Sequence, residues 1–407
     1  MPGPLSHIRV LDLSRVLAGP WASQNLADLG AEVIKIEQPG VGDDTRGYGP
    51  PFMKHKDGGD TRESAYFISS NRNKKSVSVD IKTPAGQEIV RTLAAKSQVF
   101  IENYKVGVLK TLGLSYADIK EINPSIIYCS ITGYGQNGPL AERAGYDLVF
   151  QGMGGLMSIT GERDDAPGGG PQKVGIAVTD VLTGMYASLA ISAAITHRER
   201  TGQGQYIDLA LLDTIVAFGA NQIVSWFCSG NIPRRWGNAH AQITPYGAFE
   251  TSDGHMILAI GNDGQFARFC KAVGRADLAS DPRFKENAQR VRNRDALVTI
   301  VTDLMRTRTR AEWNAVLTAA NVPCGPINNI KEVFDEPQVQ ARGLRVDMEH
   351  LAGGIASVVA SPMRMSATPV EYRLPPPILG QHNIEVLGGL LGYSDIDIES
   401  LKKAGVI

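Results

Sequence analysis

The sequence predicts an α/β fold in which a doubly wound, Rossmann-like parallel sheet forms a large domain. Over the first third of the 407 residues, short apolar runs alternate with helical patterns. The runs have strand length and the segments between them are long enough for crossover helices, which is the spacing of a parallel sheet with right-handed crossovers. The length, with 43% hydrophobic residues, is ample for one large or two moderate domains.

The elements of this first part follow in order. Strands are predicted at 8–14, 31–37, 75–81, 98–103 and 125–135. Helices are predicted between them at 18–30, 83–97 and 116–121. The first helix ends at Gly30, and glycine is typical of helix C-termini.

Later segments predict a smaller inserted α+β domain. A loop rich in glycine, proline and aspartate spans 152–170 and precedes a long helix at 179–199. Two strands are predicted around the turn at 252–254, followed by helices to about 320, and another strand at 363–366. The predicted division is a large domain from 1–205 and 326–407, linker helices at 206–235 and a small domain at 236–325.

Composition excludes several classes of function. The 41 basic and 42 acidic residues give a net charge of −1, so no overall field draws the chain to nucleic acid or anionic lipid. Four cysteines lie far apart without a CxxC pair, which argues against disulfides and a zinc site. The N-terminus lacks a secretory pattern, and the apolar stretch at 181–195 suits a core helix better than a membrane span. We expect a cytoplasmic protein without a metal.

The opening strand–helix–strand unit raises the possibility of a dinucleotide site, with Glu37 as the ribose ligand. That site needs a GxGxxG turn, because only glycine lets the backbone approach the pyrophosphate. The turn here reads SRVLAGP. NAD binding is therefore disfavoured.

Asp180 is the most informative carboxylate. It stands at the start of the long helix, in VGIAVTDVLTG, where the helix dipole favours an anion and Thr179 is a candidate cap. A carboxylate there can cap the helix, or it can act as a nucleophile that holds an acyl group as an anhydride. The local pattern leaves both roles open.

Segments along nearly the whole chain resemble one family. They include RVLDLSRVLAGPWASQNLADLGAEVIKIEQPGVGDDTR, SNRNKKSVSVDIKTPAG, IENYKVGVLKTLGLSY, AGYDLVFQGMGG, GNAHAQITPYGAF and VPCGPINNIKEVFDEPQV. In this order they are similar to the class III CoA-transferases, which include formyl-CoA transferase and carnitine CoA-transferase. The resemblance implies that Asp180 is the nucleophile, that coenzyme A and acyl-CoA are substrates, and that no cofactor is permanently bound.

The resemblance also implies where coenzyme A binds. Val79 and Ile81 would form the walls of the adenine slot, with Lys82 as its cap. The ENYK segment would supply Asn103 and Lys105. Lys110 follows them, and Arg15 lies on the first βα turn, where ligands bind in such folds. The lysines could equally be solvated residues of ordinary helix surfaces.

Departures from the family pattern concern the acyl group. Formyl-CoA transferase has a glutamine beside that group, where this chain has Leu17, and arginines for coenzyme A where this chain has Gln38 and Thr111. A formate or oxalate substrate is therefore disfavoured. In the related α-methylacyl-CoA racemase a histidine base stands where this chain has Tyr146, and a phenol is a poor base at neutral pH. Tyr146 suits a hydrogen bond to the acyl group.

The segment GNAHAQITPYGAF resembles members that use dicarboxylic acids with succinyl-CoA. His240 would then meet the acceptor's distal carboxylate, as could Arg234 or Arg235. The resemblance further implies an interlocked homodimer. Three classes remain open from the sequence: a CoA-transferase, a racemase-like enzyme and a catalytically silent CoA-binding protein.

Overall fold

The computed structural model describes residues 2–407. Its strands are β1 (Arg9–Asp12), β2 (Glu32–Glu37), β3 (Phe52–Lys54), β4 (Asp60–Ser64), β5 (Lys74–Ser78), β6 (Val99–Glu102), β7 (Ile127–Thr132), β8 (Tyr206–Ala210), β9 (Tyr246–Thr251), β10 (Gly254–Ala259), β11 (Cys324–Pro326), β12 (Arg345–His350) and β13 (Gly354–Val359).

The helices alternate with these strands. They are α1 (Ala18–Asp28), α2 (Ala65–Ser69), α3 (Pro84–Ala95), α4 (Val108–Thr111), α5 (Tyr116–Ile122), α6 (Asp147–Met153), α7 (Leu156–Ile159), α8 (Val178–Thr201), α9 (Leu211–Phe218), α10 (Ala220–Ser229), α11 (Asp263–Ala272), α12 (Asp277–Ser280), α13 (Asn287–Arg292), α14 (Arg294–Met305), α15 (Arg310–Ala319), α16 (Ile330–Asp335), α17 (Pro337–Ala341) and α18 (Asp395–Lys403). A 3₁₀ turn at Asp44–Gly47 and a π-helix at Ile384–Leu390 complete the set.

Internal contacts divide the chain into two compact units. The larger unit contains the residues up to 156 together with 174–221 and 338–407. The smaller unit contains 157–173 and 222–337. The contacts thus group 157–173 with the smaller unit, whereas the sequence pattern predicts 1–205 as one continuous part of the large domain.

A six-stranded parallel sheet organises the larger unit, in the order β5-β2-β1-β6-β7-β8. The chain starts at β1, proceeds to β2 and β5 on one side, and then returns to β6, β7 and β8 on the other. The direction of winding therefore reverses between β1 and β6, whose Asp12 and Ile101 are paired. In such sheets a crevice opens at the carboxyl ends of the strands flanking this reversal. The parallel α/β prediction is confirmed.

Both faces of this sheet are covered by helices. Val10 of β1 belongs to the hydrophobic cluster shared with α1 and α8, whereas the next residue, Leu11, belongs to the cluster shared with α3, α5 and α18. Alternate side chains of a strand point to opposite faces, so both sides of β1 are buried in apolar surroundings. This double burial holds the carboxyl end of β1 in place.

Helix α8 packs mainly against α1. Gly184 permits the close approach, because a Cβ there would lie 2.6 Å from the Ala18 carbonyl oxygen and 2.9 Å from the Trp21 Cβ. Among the described residues, α8 is the single helix long and apolar enough to cross a membrane, and half of its apolar window is buried within the protein. Its packing on α1 is that of a core helix.

Two antiparallel hairpins in the larger unit escaped the sequence analysis, β3–β4 and β12–β13. Strand β13 has a strict alternation of buried and exposed residues, which is the period of a half-buried strand. The strand predicted at 363–366 is wrong, because the chain there has no ladder partner and no regular structure. Strand pairing in this part of the chain ends at Val359, the last residue of β13.

The smaller unit contains the three-stranded antiparallel sheet β11-β10-β9 and the helices α11 to α15. Strands β9 and β10 meet at the predicted turn, with Thr251 paired to Gly254. Phe266, Phe269 and Trp313 are buried in the core of this unit. The predicted α+β character of this segment is confirmed.

Candidate active site

A cavity of about 270 Å³ lies at the carboxyl ends of β1, β6 and β7 in the larger unit. We call it the Asp180 cavity. Its lining comes from the first βα turn, the 3₁₀ turn after β2, the segment after β6, the end of β7, the segment before α6 and the starts of α8 and α9. The residues are Arg15, Val16, Leu17, Ala18, Asp44, Asn103, Tyr104, Lys105, Val106, Ile131, Thr132, Gly133, Ala141, Arg143, Ala144, Gly145, Tyr146, Asp180 and Leu211.

A second cavity, of about 340 Å³, lies against the carboxyl ends of β2 and β5. We call it the Val79 cavity. Its lining consists of Arg15, Lys35, Ile36, Glu37, Gln38, Val41, Gly42, Asp43, Asp44, Val79, Asp80, Ile81, Lys82, Tyr104, Val108 and Leu112. The two cavities share Arg15, Asp44 and Tyr104. These three side chains therefore form a common wall.

Most of the residues singled out from the sequence line these cavities. Leu17, Asn103, Tyr146 and Asp180 lie in the Asp180 cavity, Val79, Ile81 and Lys82 lie in the Val79 cavity, and Arg15 lies in both. Lys105 lines the Asp180 cavity and also a third cavity of about 290 Å³, which includes Lys110. His240 belongs to the smaller unit.

Asp180 is the third residue of α8, which begins at Val178 after a backbone cap residue, Ala177, that makes no side-chain capping bond. The expectation that Thr179 caps the helix is wrong, since Thr179 lies inside the first turn. Its N–H instead donates to Asp147 Oδ1 at 2.8 Å. A carboxylate 32 residues earlier in the chain therefore caps the helix that carries Asp180.

The buried Gln151 holds this cap in place. Its Nε2 donates to Asp147 Oδ2 at 2.6 Å, and its Oε1 accepts the N–H of Val174 at 2.9 Å. The amide thus connects helix α6 to the segment that leads into α8. The start of α8, and with it Asp180, is fixed by α6.

The Asp180 carboxyl is electrostatically unusual. Burial and, secondarily, the negative charge of Asp147 raise the pKa of Asp180 to about 7. Perturbed carboxyl groups in clefts are characteristic of functional sites.

Two tyrosines lie near this carboxyl. Tyr146 lines the cavity and is 72% exposed, so its hydroxyl is available to a ligand. Burial, and then the charges of Asp180 and Asp147, raise the pKa of Tyr66 to about 12, so that hydroxyl stays protonated as a donor. Sequence reasoning missed Tyr66 and Asp147. The AGYD segment already contained Asp147, beside Tyr146, and was the available signal.

The common wall between the cavities is built on paired loops. Asn103 Oδ1 accepts the N–H of Arg15 at 2.8 Å, and Asn103 Nδ2 donates to the Arg15 carbonyl at 2.7 Å. The Arg15 guanidinium contacts Asp44 at 3.0 Å and lies 5.3 Å from the centre of the Tyr104 ring. The Asn103 amide is thus occupied in holding the Arg15 backbone.

The Val79 cavity combines apolar walls with charge at its rim. Val79 and Ile81 are buried, whereas Lys82 is exposed. Glu37, the ribose ligand of a dinucleotide site, is not free here, because Arg46 donates to both of its oxygens at 2.8 Å. Glu37 also accepts hydrogen bonds from Ser76 Oγ at 2.6 Å and from the N–H of Asp43 at 2.9 Å. Glu37 is therefore engaged in an internal ion pair with Arg46 and is not free to bind a ribose, as the acidic residue of a Rossmann site would be.

In the smaller unit, His240 lies 5.3 Å from the Tyr246 ring, and its Nδ1 accepts the N–H of Gln242 at 3.0 Å. Burial and then the charge of Arg294 lower the pKa of His240. The ring is thus neutral at pH 7, and a distal carboxylate would have to be met by its remaining nitrogen. Arg235 pairs with Asp164, while Arg234 stacks on Trp236 at 4.1 Å.

No cluster of three or more histidine, cysteine, aspartate or glutamate residues with metal-binding geometry occurs among residues 2–407. The four cysteines are free thiols, of which Cys129 and Cys270 are buried.

Comparison with known proteins assigns the family. The profile of CoA-transferase family III matches residues 5–383. A succinate–glutarate CoA-transferase of Agrobacterium fabrum is 50% identical over 388 residues, covering 95% of this chain and 96% of the relative. The human succinyl-CoA:glutarate CoA-transferase is 46% identical over 404 residues, covering 99% and 90% respectively.

Two solved structures have a fold similar to that of this chain. A CaiB/BaiF family protein from Brucella suis has a TM-score of 0.84 and 44% identity, covering 96% of this chain and all of that one. A hypothetical protein from Mycobacterium tuberculosis has a TM-score of 0.82 and 32% identity, covering 94% and 98%. The chain therefore belongs to CoA-transferase family III, and it is a CoA-transferase.

Proposed function

We propose that this enzyme moves coenzyme A from succinyl-CoA to glutarate or a related dicarboxylate, with Asp180 as the nucleophile. The observation that carries the proposal is the common wall of Arg15, Asp44 and Tyr104. This wall places a cleft with apolar walls, and with Lys82 exposed at its rim, directly beside the cavity that Asp180 lines. The named relatives from Agrobacterium fabrum and human supply the choice of acids.

The proposed reaction is a series of acyl transfers at Asp180. Its carboxylate attacks the succinyl thioester, forming a mixed anhydride and releasing CoA thiolate. The thiolate attacks the aspartyl carbonyl, which releases succinate and leaves an aspartyl-CoA thioester. Glutarate attacks that thioester, giving a second anhydride and thiolate. The thiolate then attacks the glutaryl carbonyl, which forms glutaryl-CoA and regenerates the Asp180 carboxylate.

Coenzyme A is proposed to span the two cavities. Val79 and Ile81 offer apolar surface to the adenine ring, with Lys82 exposed at the rim. Arg15 stands on the common wall, and Lys105 and Lys110 line the adjoining cavity, so that all three cations are available to the phosphates. Tyr146, and the apolar Leu17 opposite the acyl group, would position the thioester near Asp180.

The experiment that tests the nucleophile is peptide mass spectrometry after incubation with succinyl-CoA and borohydride. Borohydride reduces an aspartyl thioester to an alcohol, so the peptide with Asp180 should acquire that mass change. The change should vanish in Asp180→Ala and persist in Asp213→Ala, an exposed aspartate also in the first turn of a helix. An unmodified Asp180 in an enzyme that still transfers CoA would exclude the covalent route proposed here.

We further propose that His240 contacts the distal carboxylate of the acceptor. Pentanoate matches glutarate in length but lacks that carboxylate, and so separates this contact from the reaction itself. His240→Ala should raise the KM for glutarate about tenfold or more, since a lost hydrogen bond to a charged group costs about 1.5–3 kcal/mol. Activity with pentanoate should be unchanged. Equal effects on both acids would assign His240 another role.

Two broader properties complete the proposal. We propose that the enzyme is an interlocked homodimer, as the resemblance to class III CoA-transferases implies. We also propose that it works in the cytoplasm, where its four free thiols stay reduced.

A further inference from the structure

Val16 adopts a backbone conformation that its side chain opposes. Its φ is +69°, in the left-handed region. A β-branched residue rarely occupies this region, because its Cβ crowds the following carbonyl oxygen. Val16 lies between Arg15, on the common wall, and Leu17, in the Asp180 cavity. The backbone conformation of Val16 therefore sets the directions of both neighbouring side chains. Strain of this kind persists only where surrounding contacts enforce it.

Side chains from two other segments enforce it. Asp43 Oδ1 accepts the N–H of Val16 at 3.2 Å. Lys35 Nζ donates to the Ser14 carbonyl at 2.8 Å. Together with the two Asn103 bonds to Arg15, these contacts give hydrogen-bond partners to backbone groups of three successive residues, Ser14, Arg15 and Val16.

The anchors themselves are rigid. Lys35 and Asp43 form an ion pair of 2.8 Å, with both side chains fully buried. The same Asp43 Oδ1 also accepts the N–H of Thr45 at 2.9 Å and its hydroxyl at 2.8 Å. Burial acts to raise the pKa of Asp43, but the ion pair with Lys35 and the hydrogen bonds from Thr45 lower it to about 2, so its carboxylate is an acceptor throughout the working range.

We propose that Asp43, supported by Lys35, is a positioning residue for CoA binding: it holds Val16 in the left-handed conformation that directs Arg15 and Leu17 to their cavities. Asp43 affects CoA binding only through the conformation of the turn that contains Val16. This inference rests on the CoA-transferase activity of the family and on neither the choice of acids nor the role of Asp180.

The test is a double-mutant cycle on Asp43 and Val16. Without its anchor, Val16 relaxes from the left-handed region, and only the minor population with the correct turn binds ligand. Asp43→Ala should therefore weaken CoA binding about 5- to 30-fold, which corresponds to the cost of about 1–2 kcal/mol for left-handed valine. Glycine adopts this conformation without that cost. In the Val16→Gly background the same Asp43→Ala change should weaken binding by less than about threefold.

The readouts are the dissociation constant of CoA by titration calorimetry and the KM and kcat with succinyl-CoA. Asp43→Ala should raise both the dissociation constant of CoA and the KM for succinyl-CoA. Asp44→Ala is the matched control, since Asp44 pairs with the Arg15 side chain and makes no bond to the Val16 backbone. Its effect should be equal in both backgrounds. Equal penalties for Asp43→Ala in both backgrounds would overturn the proposal.

Asp43→Ala leaves Lys35 without its nearest partner, so folding is checked by circular dichroism and melting temperature. If that variant does not fold, Asn103→Ala replaces it, because its loss uncovers no buried charge. The same relief by Val16→Gly is expected there, as Asn103 holds the same turn. An Asn103→Ala penalty that Val16→Gly leaves unchanged would show direct contact with CoA, and would overturn the positioning role of the turn.

Discussion

At the scale of single residues, the Asp180 carboxyl lies at the amino end of a 24-residue helix and still has a raised pKa. An isolated helix terminus stabilises an anion by about 0.3–1 kcal/mol, whereas one pKa unit corresponds to about 1.4 kcal/mol. Burial and the negative charge of Asp147 thus act against the stabilisation that a helix terminus gives to an anion. A nucleophile that is weakly solvated in this way is reactive once ionised.

This pKa predicts the pH dependence of the first chemical step. The attacking form is the carboxylate, so the rate of Asp180 acylation by succinyl-CoA should fall about tenfold per pH unit below pH 7 and level off above it. Rapid-quench measurements between pH 5 and 9 give this profile. Asp147→Asn removes the like charge while keeping an acceptor for the Thr179 N–H, so its profile should move to lower pH. A rate independent of pH across this range would contradict the prediction.

At the scale of elements, strand and helix patterns predicted the parts of the chain whose neighbours in sequence are also neighbours in space. The strands β1, β2, β6 and β7 fall within the predicted segments, and the long helix α8, Val178–Thr201, covers the predicted 179–199 and extends slightly beyond both ends. Arg15 and Asp180 became candidates because ends of strands and helices are recognisable in sequence, and the resemblance to the class III CoA-transferases implied their roles. Contacts between distant segments carry no such periodic signal. The Asp147 cap and the Asn103 bonds to Arg15 therefore emerged only from the structure.

Arg46 shows how such distant contacts join elements. It lies in the 3₁₀ turn after β2, donates to Glu37 of β2 and to Glu63 of β4, and reaches the Pro377 carbonyl at 3.0 Å. Its guanidinium lies 3.7 Å from the centre of the Phe67 ring. One buried side chain thus connects four segments of the larger unit.

Arg46→Met should lower the free energy of unfolding by about 3–5 kcal/mol, because it leaves two buried carboxyl groups without their partner. Urea denaturation at pH 7 measures this change. Arg306→Met is the matched control: its ion pair with Glu250 is exposed on both sides and should be worth less than about 1 kcal/mol. Comparable losses in the two variants would mean that burial of the Arg46 network is unimportant.

At the scale of the whole molecule, the proposed interlocked homodimer makes a kinetic prediction. Separate chains that thread through one another cannot part without local unfolding, so two differently tagged preparations should not exchange subunits when mixed. Native mass spectrometry should find twice 43.8 kDa and no mixed dimers after prolonged incubation. Mixed dimers should form only after unfolding and refolding together. Rapid exchange in native buffer would exclude interlocking, and a single-chain mass would exclude the dimer.

At this scale the strand and helix pattern predicts the parallel sheet, and the sequence motifs indicate the family, whereas the outline of the two units depends on long-range contacts. Residues 157–173 are the example, since their composition predicts only a loop. In the structure, Gly161 O accepts the N–H of Gly237 and Thr160 O accepts that of Gln172, all within the smaller unit. A loop with glycine and proline has no periodicity that would indicate such partners.

Residues near the carboxyl end of the sequence also contribute to the surroundings of the Val79 cavity. The N–H of Asp80, between Val79 and Ile81, donates to the carbonyl of Val406 at 2.7 Å. Val386 and Leu387 pack in the same cluster as Val79. A ribosome therefore has to synthesise nearly all of the described chain before this wall has its hydrogen bond and its packing. Under the binding mode proposed above, the complete adenine slot would therefore exist only once the carboxyl-terminal segment has docked.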